Sequence, residues 1–400
     1  MQIKLPEDVN FILTSLTDAG YSAFIVGGCV RDSIMGITPK DWDITTSALT
    51  SQVKAVFLHT FDTGIQHGTV TVLLNKQNYE VTTFRIDGEY LDGRRPEDVT
   101  FTTDLEADLS RRDFTINAIA YNPDTGLTDP FGGIQDIDKK IIRCVGTATE
   151  RFTEDALRMM RAIRFSAQLG FDIDQETYEA IPKLAARLKM VSIERIREEL
   201  TKTLASPYTE AILLFKTSGI WGQILPNEFD RSDLFDTVQV PALLKNCPKE
   251  PAMLYTLFGA DKKFMQYLKF DNHTIKETAL YRKWLTQPIE ALRYDIKIAL
   301  NAMGQQQFYN LVILKKIVEP KKHSYWDKVK QMCDDIIKSA ECFTIKDLAV
   351  NGDDLIKIGL TGKQIGDIMA DLLDKVMQDP TINKKEPLIA QAKNSISIKY

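Results

Sequence analysis

Asp41 and Asp43, in the segment KDWDIT, are separated by a single residue. On a β-strand, side chains at positions i and i+2 leave the same face, so these carboxylates are expected to converge. Two neighbouring carboxylates repel each other unless a cation lies between them. Ligation by oxygen alone suits Mg²⁺, which accepts substrate phosphates as further ligands. The pair therefore predicts a divalent metal site that works together with a phosphate-bearing substrate.

A glycine pair, Gly27 and Gly28, precedes the aspartates and ends the strand-like segment AFIV. Glycine lets the backbone approach a phosphate closely, and the segment CVRDSIMG behind it predicts a short helix whose N-terminus faces that anion. Each motif alone is usually a plain turn or a solvated strand. The order strand, Gly-Gly, short helix, strand with Asp-x-Asp resembles the nucleotidyltransferase superfamily that includes DNA polymerase β. We therefore expect a metal-dependent nucleotide site.

The composition indicates a globular protein of roughly two to four domains. Of the 400 residues, 44% are hydrophobic and 26% are charged, and no apolar run is long enough for a membrane span. The start of the chain predicts an amphipathic helix, with Val9, Ile12, Leu13 and Leu16 on one side, and it lacks a signal-peptide core, so we expect a cytoplasmic protein. The five cysteines are scattered and only four histidines are present, which disfavours a zinc site and predicts reduced thiols.

Charge is distributed unevenly along the chain. Residues 1–150 hold 13 Lys and Arg against 22 Asp and Glu, whereas residues 151–400 hold 37 against 33. The net charge of −5 argues against a protein that binds nucleic acid through its bulk charge. Any RNA-binding surface is therefore expected to be a local basic stripe, and the acidic first part is expected to hold the metal site.

Strand-like and helix-like segments alternate over residues 21–146. GTVTVLL and YEVTTFR predict a hairpin about the turn NKQN, and KIIRCVG is expected to close the sheet. Hairpin-connected strands indicate a mixed, largely antiparallel sheet with helices rather than a doubly wound parallel one. From Thr149 onward the periodicity is helical almost throughout. The predicted fold class is α+β, in four parts: a head with the mixed sheet (1–148), a helical neck (149–208), a helical body (209–330) and a helical tail (331–400).

A polar segment rich in Gly, Asp and Arg, IDGEYLDGRRPEDVTFTTD, separates the hairpin from the next helix. It is longer than a routine connection between two elements. Two interpretations are open. The segment is either a surface loop without fixed structure or a mobile lid near the site, with Gly88 and Gly93 supplying backbone freedom.

Six motifs between Phe24 and Leu200 occur in the order seen in bacterial class II tRNA nucleotidyltransferases, the CCA-adding enzymes: FIVGGCVRD, KDWDITTSA, RRDFTINAIAY, DPFGGIQDI, RFTEDALRMMRAIRFSAQLGF and ERIREEL. The resemblance implies template-free addition of C, C and A to the 3′ end of tRNA from CTP and ATP, with release of pyrophosphate. It implies that Asp41 and Asp43 hold two Mg²⁺ ions for an in-line attack. Glu80 in YEVTTFR is a candidate third carboxylate, and a solvent-facing strand glutamate is the alternative.

The segment RRDFTINAIAY supplies charged side chains for a triphosphate. Arginine offers several donors in a fixed fork, which suits the oxygens of neighbouring phosphates. Of the paired arginines, which are otherwise usually solvated, Arg111 is the stronger candidate. The resemblance places the nucleotide against this segment and the glycine turn, at Gly27, Gly28, Arg31, Arg111, Arg112, Asp113 and Asn117.

The segment EDALR predicts recognition of the base. Asp155 and Arg158 are three residues apart on a predicted helix, so they are expected on one face, with Glu154 bracing the guanidinium. Cytosine and adenine both present an amine donor beside a ring-nitrogen acceptor, which a carboxylate and a guanidinium complement. An ordinary helix-surface ion pair is the alternative. Arg161 extends the same stripe toward base, phosphate or solvent, and Arg164 is expected to solvate the helix.

The expected partners are CTP, ATP, and the 3′ acceptor end and elbow of tRNA. The densest basic stretch includes Lys321 and Lys322, which either contact the tRNA backbone or form a solvated face. A poly(A) polymerase and a CC-adding enzyme of the same superfamily are alternatives, and a non-catalytic tRNA-binding module is an alternative of another class. No membrane association is expected. The sequence leaves the oligomeric state open, with a homodimer among the alternatives.

Overall fold

The computed structural model of the chain describes residues 2–64, 67–88, 99–225 and 239–399. The chain divides into two compact units, Met1–Lys245 and Asn246–Tyr400. The described strands all belong to the first unit, and the described elements of the second unit are helices. The predicted α+β class, with a mixed sheet followed by helices, is confirmed. The finer division into head, neck, body and tail stays a prediction.

A mixed sheet forms the centre of the first unit. The described strands are β1 (Ala23–Val26), β2 (Ile44–Thr46), β3 (Thr60–Gly64), β4 (Thr69–Leu74), β5 (Gln77–Thr83), β6 (Arg85–Asp87), β7 (Val99–Phe101), β8 (Ala120–Asn122), β9 (Gly126–Thr128), β10 (Ile141–Ile142) and β11 (Asp172–Ile173). Seven of them are ordered β3-β4-β5-β2-β1-β8-β9. Neighbours are antiparallel except β2 and β5, which are parallel.

The β4–β5 hairpin follows from its turn chemistry. Asn75 and Lys76 join the strands with φ angles of 50° and 65°. Two consecutive residues with positive φ match the type I′ turn, whose twist suits a two-residue hairpin. The predicted hairpin is confirmed. Its turn is shorter than the NKQN segment because Gln77 and Asn78 already belong to β5.

Helices surround the sheet and continue after it. In the first unit they are α1 (Glu7–Asp18), α2 (Gly28–Ile34), α3 (Thr50–Val56), α4 (Leu105–Ser110), α5 (Gly133–Lys139), α6 (Ala148–Glu154), α7 (Leu157–Leu169), α8 (Gln175–Leu184), α9 (Ile193–Leu204), α10 (Leu214–Thr217), α11 (Trp221–Ile224) and α12 (Gln239–Lys245). In the second unit they are α13 (Pro251–Leu257), α14 (Lys262–Tyr267), α15 (Asn272–Thr286), α16 (Arg293–Met303), α17 (Gln305–Val318), α18 (His323–Lys338), α19 (Gly352–Ile356), α20 (Lys363–Gln378) and α21 (Lys385–Lys399). Short 3₁₀ turns connect several of them.

The N-terminal helix α1 has the predicted buried stripe. Val9, Ile12, Leu13 and Leu16 are almost fully inaccessible to solvent. Their i, i+3, i+4, i+7 spacing places them on one face, which is the pattern of a helix packed on a core. The described ranges contain no helix with the length and apolar character needed to cross a bilayer. All five cysteines are buried and unpaired.

The segment KIIRCVG does not close the main sheet, so that prediction was wrong. Its strand β10 pairs in parallel with β11, Ile141 opposite Asp172 and Ile142 opposite Ile173. The apolar pattern predicted a strand correctly. It did not identify the partner, which comes from the far end of α7.

The predicted lid begins and ends at a two-stranded ribbon. Strands β6 and β7 pair with each other, Ile86 opposite Thr100. Gly88 follows β6 and is exposed. Gly93 and the rest of the predicted lid between Gly88 and β7 lie outside the described residues, so the choice between lid and plain loop stays open.

Candidate active site

The Asp-x-Asp pair lies just before a strand rather than on it. The chain bends at Asp41, and β2 begins only at Ile44. Asp43 is extended enough for its carbonyl to accept a hydrogen bond from the Val26 amide at 3.0 Å. The prediction that both aspartates lie on one strand was therefore wrong, because the bend comes before the regular ladder starts.

The two carboxylates nevertheless line one cavity. This acidic cavity has a volume of about 840 Å³ and is lined by, among others, Lys40, Asp41, Trp42, Asp43, Phe61 and Glu80. Both aspartates and Glu80 are exposed to it. The three carboxylates share this cavity, and their catalytic role stays a prediction.

Electrostatics at Asp43 favour a bound cation. Partial burial raises the pKa of the Asp43 carboxyl, the Arg112 guanidinium opposes that rise, and the charge of Asp41 adds to it. Within the described ranges, no three Asp, Glu, His or Cys side chains are grouped tightly enough to hold a metal ion by themselves. Two carboxylates supplemented by phosphate and water oxygens fit Mg²⁺, which rarely occupies an all-protein cage.

A second cavity meets the first at Asp43. This arginine cavity has a volume of about 440 Å³ and is lined by Arg31, Arg111, Arg112, Arg158, Arg161, Arg164 and Arg195. The acids along its wall are Asp43, Asp113 and Asp155. Seven guanidinium groups face three carboxylates on this wall, and further acids behind it, such as Asp108 and Glu199, pair with some of them. So many N–H donors around one space suit the oxygens of a polyanion. Every predicted nucleotide-binding residue lines it, as do the predicted base-recognition residues except Glu154.

Gly27 is required where it stands. Its φ is 80°, in the region that favours glycine, and a Cβ there would lie 3.3 Å from Nη1 of Arg112. The glycine turn therefore admits an arginine side chain to the cavity wall. Its predicted role of admitting a phosphate stays a prediction. Gly28 begins α2, and Arg31 lies one turn later with Nη1 donating to Oδ1 of Asn117 at 2.7 Å.

Asp108 is a buried acid that the sequence reasoning missed. Nε of Arg111 donates to it at 2.9 Å and Nη2 of Arg112 at 3.4 Å. Burial works against ionisation of Asp108, but the two arginines hold its pKa below the usual range. Asp108 lies three and four residues before these arginines, a helical spacing that would have revealed it.

Arg112 keeps an unused donor. Burial lowers the pKa of its guanidinium, and Asp108 opposes that effect. Its Nε is buried and has no hydrogen-bond partner among the described residues. A buried donor without a partner costs stability unless a ligand satisfies it. Arg112 lines the arginine cavity as the preferred Arg111 does, and a role for either in nucleotide binding stays a prediction.

Asp113 orients its neighbours. Its Oδ1 accepts from Asn117 at 3.1 Å, and its Oδ2 accepts from Nε of Arg161 at 2.7 Å. Burial alone would raise the pKa of Asp113, yet Arg161, Asn117 and Arg158 lower it to about 2. An ionised carboxylate is a poor ligand for phosphate, so we interpret Asp113 as holding Arg161 and Asn117 in position.

The DPFGGIQDI motif supports this turn from behind. A Cβ at Gly133 would clash with the carbonyl of Thr115, and Oγ1 of Thr115 donates to Asp136 at 2.7 Å. Asp129 caps α5 by accepting from the Gly133 amide at 2.7 Å. The motif thereby fixes the short turn that carries Asn117.

Asp155 and Arg158 do not share a helix face, so that prediction was wrong. Helix α6 ends at Glu154 and α7 begins at Leu157, with Asp155 extended between them. The Asp155 carboxylate accepts from the Leu157 amide at 3.0 Å, which caps α7. It also accepts from both terminal nitrogens of Arg195, at 3.2 and 2.7 Å. Arg195 lies in the ERIREEL motif but was not predicted as a site residue.

Glu154 braces Arg158 as expected. Nη1 of Arg158 contacts Oε2 of Glu154 at 2.5 Å, and its Nη2 donates to the Arg111 carbonyl at 2.9 Å. Glu154 itself is absent from the cavity wall that the structure describes. Its contact with Arg158 is therefore present, while its part in base recognition stays a prediction.

Phe165 gathers three arginines and was not predicted. The guanidinium carbons of Arg31, Arg161 and Arg164 lie 5.4, 5.3 and 4.1 Å from its ring centroid, within the range of cation–π attraction. Nε of Arg164 also donates to buried Glu199 at 2.5 Å. Arg164 is buried, so the prediction that it solvates the helix was wrong.

Lys321 and Lys322 belong to the second unit and are both exposed. Nζ of Lys322 pairs with Glu319 at 2.9 Å. The nearby Lys315 is buried and donates to the carbonyls of Leu285 and Gln287 at 2.8 and 2.9 Å. The basic stretch is thus not uniformly available to RNA, and the tRNA-binding role of Lys321 and Lys322 stays a prediction.

Comparison with known proteins identifies the family. A CCA-adding enzyme of Leuconostoc mesenteroides is 36% identical over 413 aligned positions, which cover 98% of both chains. The chain belongs to the CCA-adding enzyme family. A CCA-adding enzyme of Staphylococcus aureus is 52% identical over 204 residues, 51% of each chain. As a member of this family the chain is a tRNA nucleotidyltransferase.

Family models and solved structures agree with this membership. The Poly A polymerase head domain matches residues 23–143, an RNA and SrmB-binding site of polymerase A matches 170–229, and tRNA nucleotidyltransferase domain 2 matches 252–392. The crystal structure of the Bacillus stearothermophilus CCA-adding enzyme in complex with CTP is 31% identical, with a TM-score of 0.85 over 98% of both chains. A Thermotoga maritima CCA-adding enzyme complexed with tRNA, at 20% identity and a TM-score of 0.66, shares the fold.

Proposed function

We propose that this CCA-adding family member adds C, C and A to the 3′ end of tRNA from CTP and ATP. The RNA 3′-oxygen forms a bond to the α-phosphorus of the nucleotide, the bond to the β-phosphate breaks, and pyrophosphate leaves with that electron pair. The hydroxyl proton passes to solvent. The observation that carries the proposal is the position of Asp43, where an acidic cavity and an arginine cavity meet.

The arginine cavity would bind the triphosphate. A nucleoside triphosphate carries several negative charges, and arginine is the side chain best suited to satisfy neighbouring phosphate oxygens. Arg112 lines this cavity, and Arg31 and Arg161 are held in fixed positions by Asn117 and Asp113. Because these arginines are oriented before the ligand arrives, little ordering cost remains for binding. The binding of CTP by the Bacillus stearothermophilus relative supports this assignment.

Asp41 and Asp43 are the residues that would hold two Mg²⁺ ions, which supply charge neutralisation at the α-phosphate and make the RNA hydroxyl more acidic. The two carboxylates offer only oxygen ligands, as Mg²⁺ prefers. The pKa of Asp43 is raised in part by the charge of Asp41, and a bound cation would relieve that repulsion. Glu80 remains the candidate for a further oxygen ligand. The protein's own contribution is to hold the two carboxylates beside the arginine cavity.

Asp155 and Arg158 would read the incoming base. The carboxylate accepts from the exocyclic amine of cytosine or adenine, and the guanidinium donates to the neighbouring ring nitrogen. Uracil and guanine present a carbonyl and an N–H at these places, which would oppose both groups. Arg195 holds the Asp155 carboxylate by two hydrogen bonds and Glu154 holds Arg158, so the reading groups are fixed without belonging to one helix.

The helical second unit would contact the tRNA elbow by shape and phosphate, because base-paired RNA offers little readable sequence in its grooves. Lys321 and Lys322 are its candidate phosphate contacts.

Incorporation assays test the proposal directly. The protein is incubated with Mg²⁺, tRNA lacking its 3′ CCA, and each labelled nucleotide separately and in combination. We expect C, C and A to be added and extension then to stop, with no use of UTP or GTP. Long A tracts would instead assign poly(A) synthesis, and a halt after two C residues would assign CC addition. No incorporation of any nucleotide, with tRNA still bound, would favour a binding module.

A further inference from the structure

The acidic cavity is the larger of the two cavities that meet at Asp43. The triphosphate is assigned to the arginine cavity, which leaves most of the acidic cavity without an assigned ligand. Among the described residues, Asp43 is the one that lines both. A nucleotidyl transfer needs two reactants at one point, and two cavities opening on the same carboxylate provide two separate approaches to it. The question is which reactant each cavity fits.

The charges of the two cavities differ. Seven arginines line the arginine cavity, whereas Lys40 is the basic side chain among the described residues of the acidic cavity, beside Asp41, Asp43 and Glu80. A triphosphate would be repelled by the acidic wall. The end of an RNA strand carries a free hydroxyl and only one phosphate per nucleotide, so it is the reactant that the acidic cavity tolerates.

The strand register gives the acidic cavity a continuous row of side chains. Phe61 on β3 lies opposite Thr71 on β4, and Thr71 lies opposite Glu80 on β5. Ile44 on β2 pairs with Val81 on β5, and the residues before them, Asp43 and Glu80, both line the acidic cavity. The row therefore runs from an aromatic ring to the reacting carboxylate.

The length of this row fits more than one nucleotide. Adjacent strands are about 4.8 Å apart, so Phe61 and Asp43 are separated by about 14 Å across three strand spacings. Stacked nucleotides advance by about 3.4 Å along a strand and by more when extended. A terminal nucleotide and the one before it can therefore lie between the carboxylate and the ring.

Phe61 has the properties of a stacking platform. It is 53% exposed, although it is a large apolar side chain on a sheet. Single-stranded RNA is bound mostly by stacking of its bases on such rings, which is tolerant of sequence. Thr63 on β3 and Thr71 on β4 also line the cavity, and they bond to each other through their hydroxyls at 2.8 Å.

We propose that the acidic cavity binds the last two nucleotides of the RNA acceptor strand, with the terminal 3′-hydroxyl at Asp43 and the preceding base stacked on Phe61. The assignment rests on the proposed transferase activity. It adds the location of the second substrate and names a residue that binds it.

Phe61→Ala tests the assignment, with Phe61→Trp as the variant that keeps an aromatic ring. Loss of one stacking contact should raise KM for a tRNA that already carries the first C, and so ends in two unpaired nucleotides, by about tenfold. The KM for CTP should be unchanged, and Phe61→Trp should restore the KM for RNA. Phe11→Ala is a matched control, because Phe11 is also 53% exposed but lies on α1 outside both cavities. An equal KM for RNA in Phe61→Ala and wild type, or a rise in KM for CTP of the same size, would overturn the assignment.

A binding measurement separates failure of this inference from failure of the proposed function. RNA with 4-thiouridine as its second-last nucleotide is bound without any nucleotide triphosphate and irradiated. We expect the crosslink in the peptide that carries Phe61, and its loss in Phe61→Ala. A crosslink elsewhere refutes the acceptor site even if the enzyme adds nucleotides. A crosslink at Phe61 supports the site, whereas absence of nucleotide addition refutes only the transferase function.

Discussion

Two sets of basic residues in this chain are arranged differently in the structure. The first is the set of arginines that line the arginine cavity. The second, the lysine stretch, comprises Lys315, Lys316, Lys321, Lys322, Lys328 and Lys330. The arginines converge on one space, whereas several of the lysines contact separate neighbours: Lys315 binds backbone carbonyls, Lys316 pairs with Asp327, and Lys330 pairs with Asp334.

Buried acids explain the difference. Asp108, Asp113 and Glu199 are nearly inaccessible to solvent, and they hold Arg111, Arg161 and Arg164 by direct contacts. An exposed lysine pair contributes little energy and leaves the side chain free to move. A buried acid fixes the direction of a guanidinium, and removing it leaves a costly unpaired charge. The number of basic residues in a segment is thus a poor guide to an anion site, and the presence of buried acids opposite them is a better one.

Replacing Asp43 or Asp41, the proposed metal ligands beside the arginine cavity, should have the largest effect on activity. Asp43→Asn and Asp41→Ala, as separate variants, should each reduce kcat for every nucleotide by on the order of 10²–10³-fold or more. The reason is that negative charge in the transition state loses its stabilisation. Single-turnover incorporation of labelled CTP measures the effect. Asp124→Asn, an exposed aspartate in the β8–β9 turn, is the control. Wild-type activity in Asp43→Asn would show that the arginines serve something other than this transfer.

Changing the base-reading groups should alter selectivity rather than abolish activity. Asp155→Ala and Arg158→Ala should each narrow the preference for CTP and ATP over UTP and GTP by about 5- to 150-fold, equivalent to about 1–3 kcal/mol for a bidentate contact. Ratios of kcat/KM for the four nucleotides measure it. Arg187→Ala, outside the arginine cavity, is the control.

Arg195→Ala sharpens the same test. Because Arg195 contacts Asp155 through two hydrogen bonds, its loss should reduce discrimination by less than the loss of Asp155 itself. Unchanged selectivity in Asp155→Ala would show that Asp155 and Arg158 have only a structural role. That outcome would support the alternative given by the sequence, an ordinary ion pair on the surface of a helix.

Contiguous motifs explain why so much of the site could be predicted. The glycine turn and the RRD segment place their residues on the wall of the arginine cavity, and Asp-x-Asp places both carboxylates on the acidic cavity. These residues came from contiguous motifs and from the family resemblance, and their binding roles stay predictions. The mixed sheet followed from alternating strands and a two-residue turn. Partners distant in sequence were missed, since Arg164 meets Glu199 and Asp155 meets Arg195 only through the packing of α7 and α9.

The wrong predictions have a common physical cause. Helical periodicity through EDALR gave no sign that the Asp155 side chain would cap α7 and end α6. Likewise, Arg164 was predicted to be solvated because its acidic partner, Glu199, lies on another helix and is distant in sequence. Hydrophobic pattern identifies an element, but a polar side chain's partner is decided by tertiary packing.

Removing a buried acid should cost stability in a pH-dependent way. The pKa of Asp113 is lowered from 3.8 to about 2, so its ionised form stabilises the folded state by about 2 kcal/mol. Since the folded-state value lies below the unfolded one, this contribution is complete above about pH 4 and is lost as the pH falls toward 2. Chemical denaturation of Asp113→Asn should show a deficit at pH 7 that shrinks over this range. A deficit independent of pH would mean that packing, not charge, is lost, and Asp124→Asn should show none.

The lysine stretch should give the smallest effect. Lys321→Gln with Lys322→Gln removes two exposed charges, and each lysine that contacts a phosphate should lower the slope of log K against log salt by about 0.7–0.9. Affinity for tRNA should therefore fall by only a few-fold at moderate salt, where exposed charges are screened. Titrations by fluorescence anisotropy at several salt concentrations measure both quantities. Lys76→Gln is the control, because that lysine is also exposed but lies in the β4–β5 turn of the first unit. An unchanged slope in the double variant would make Lys321 and Lys322 a solvated face, and the contrast with the arginine cavity would then be complete.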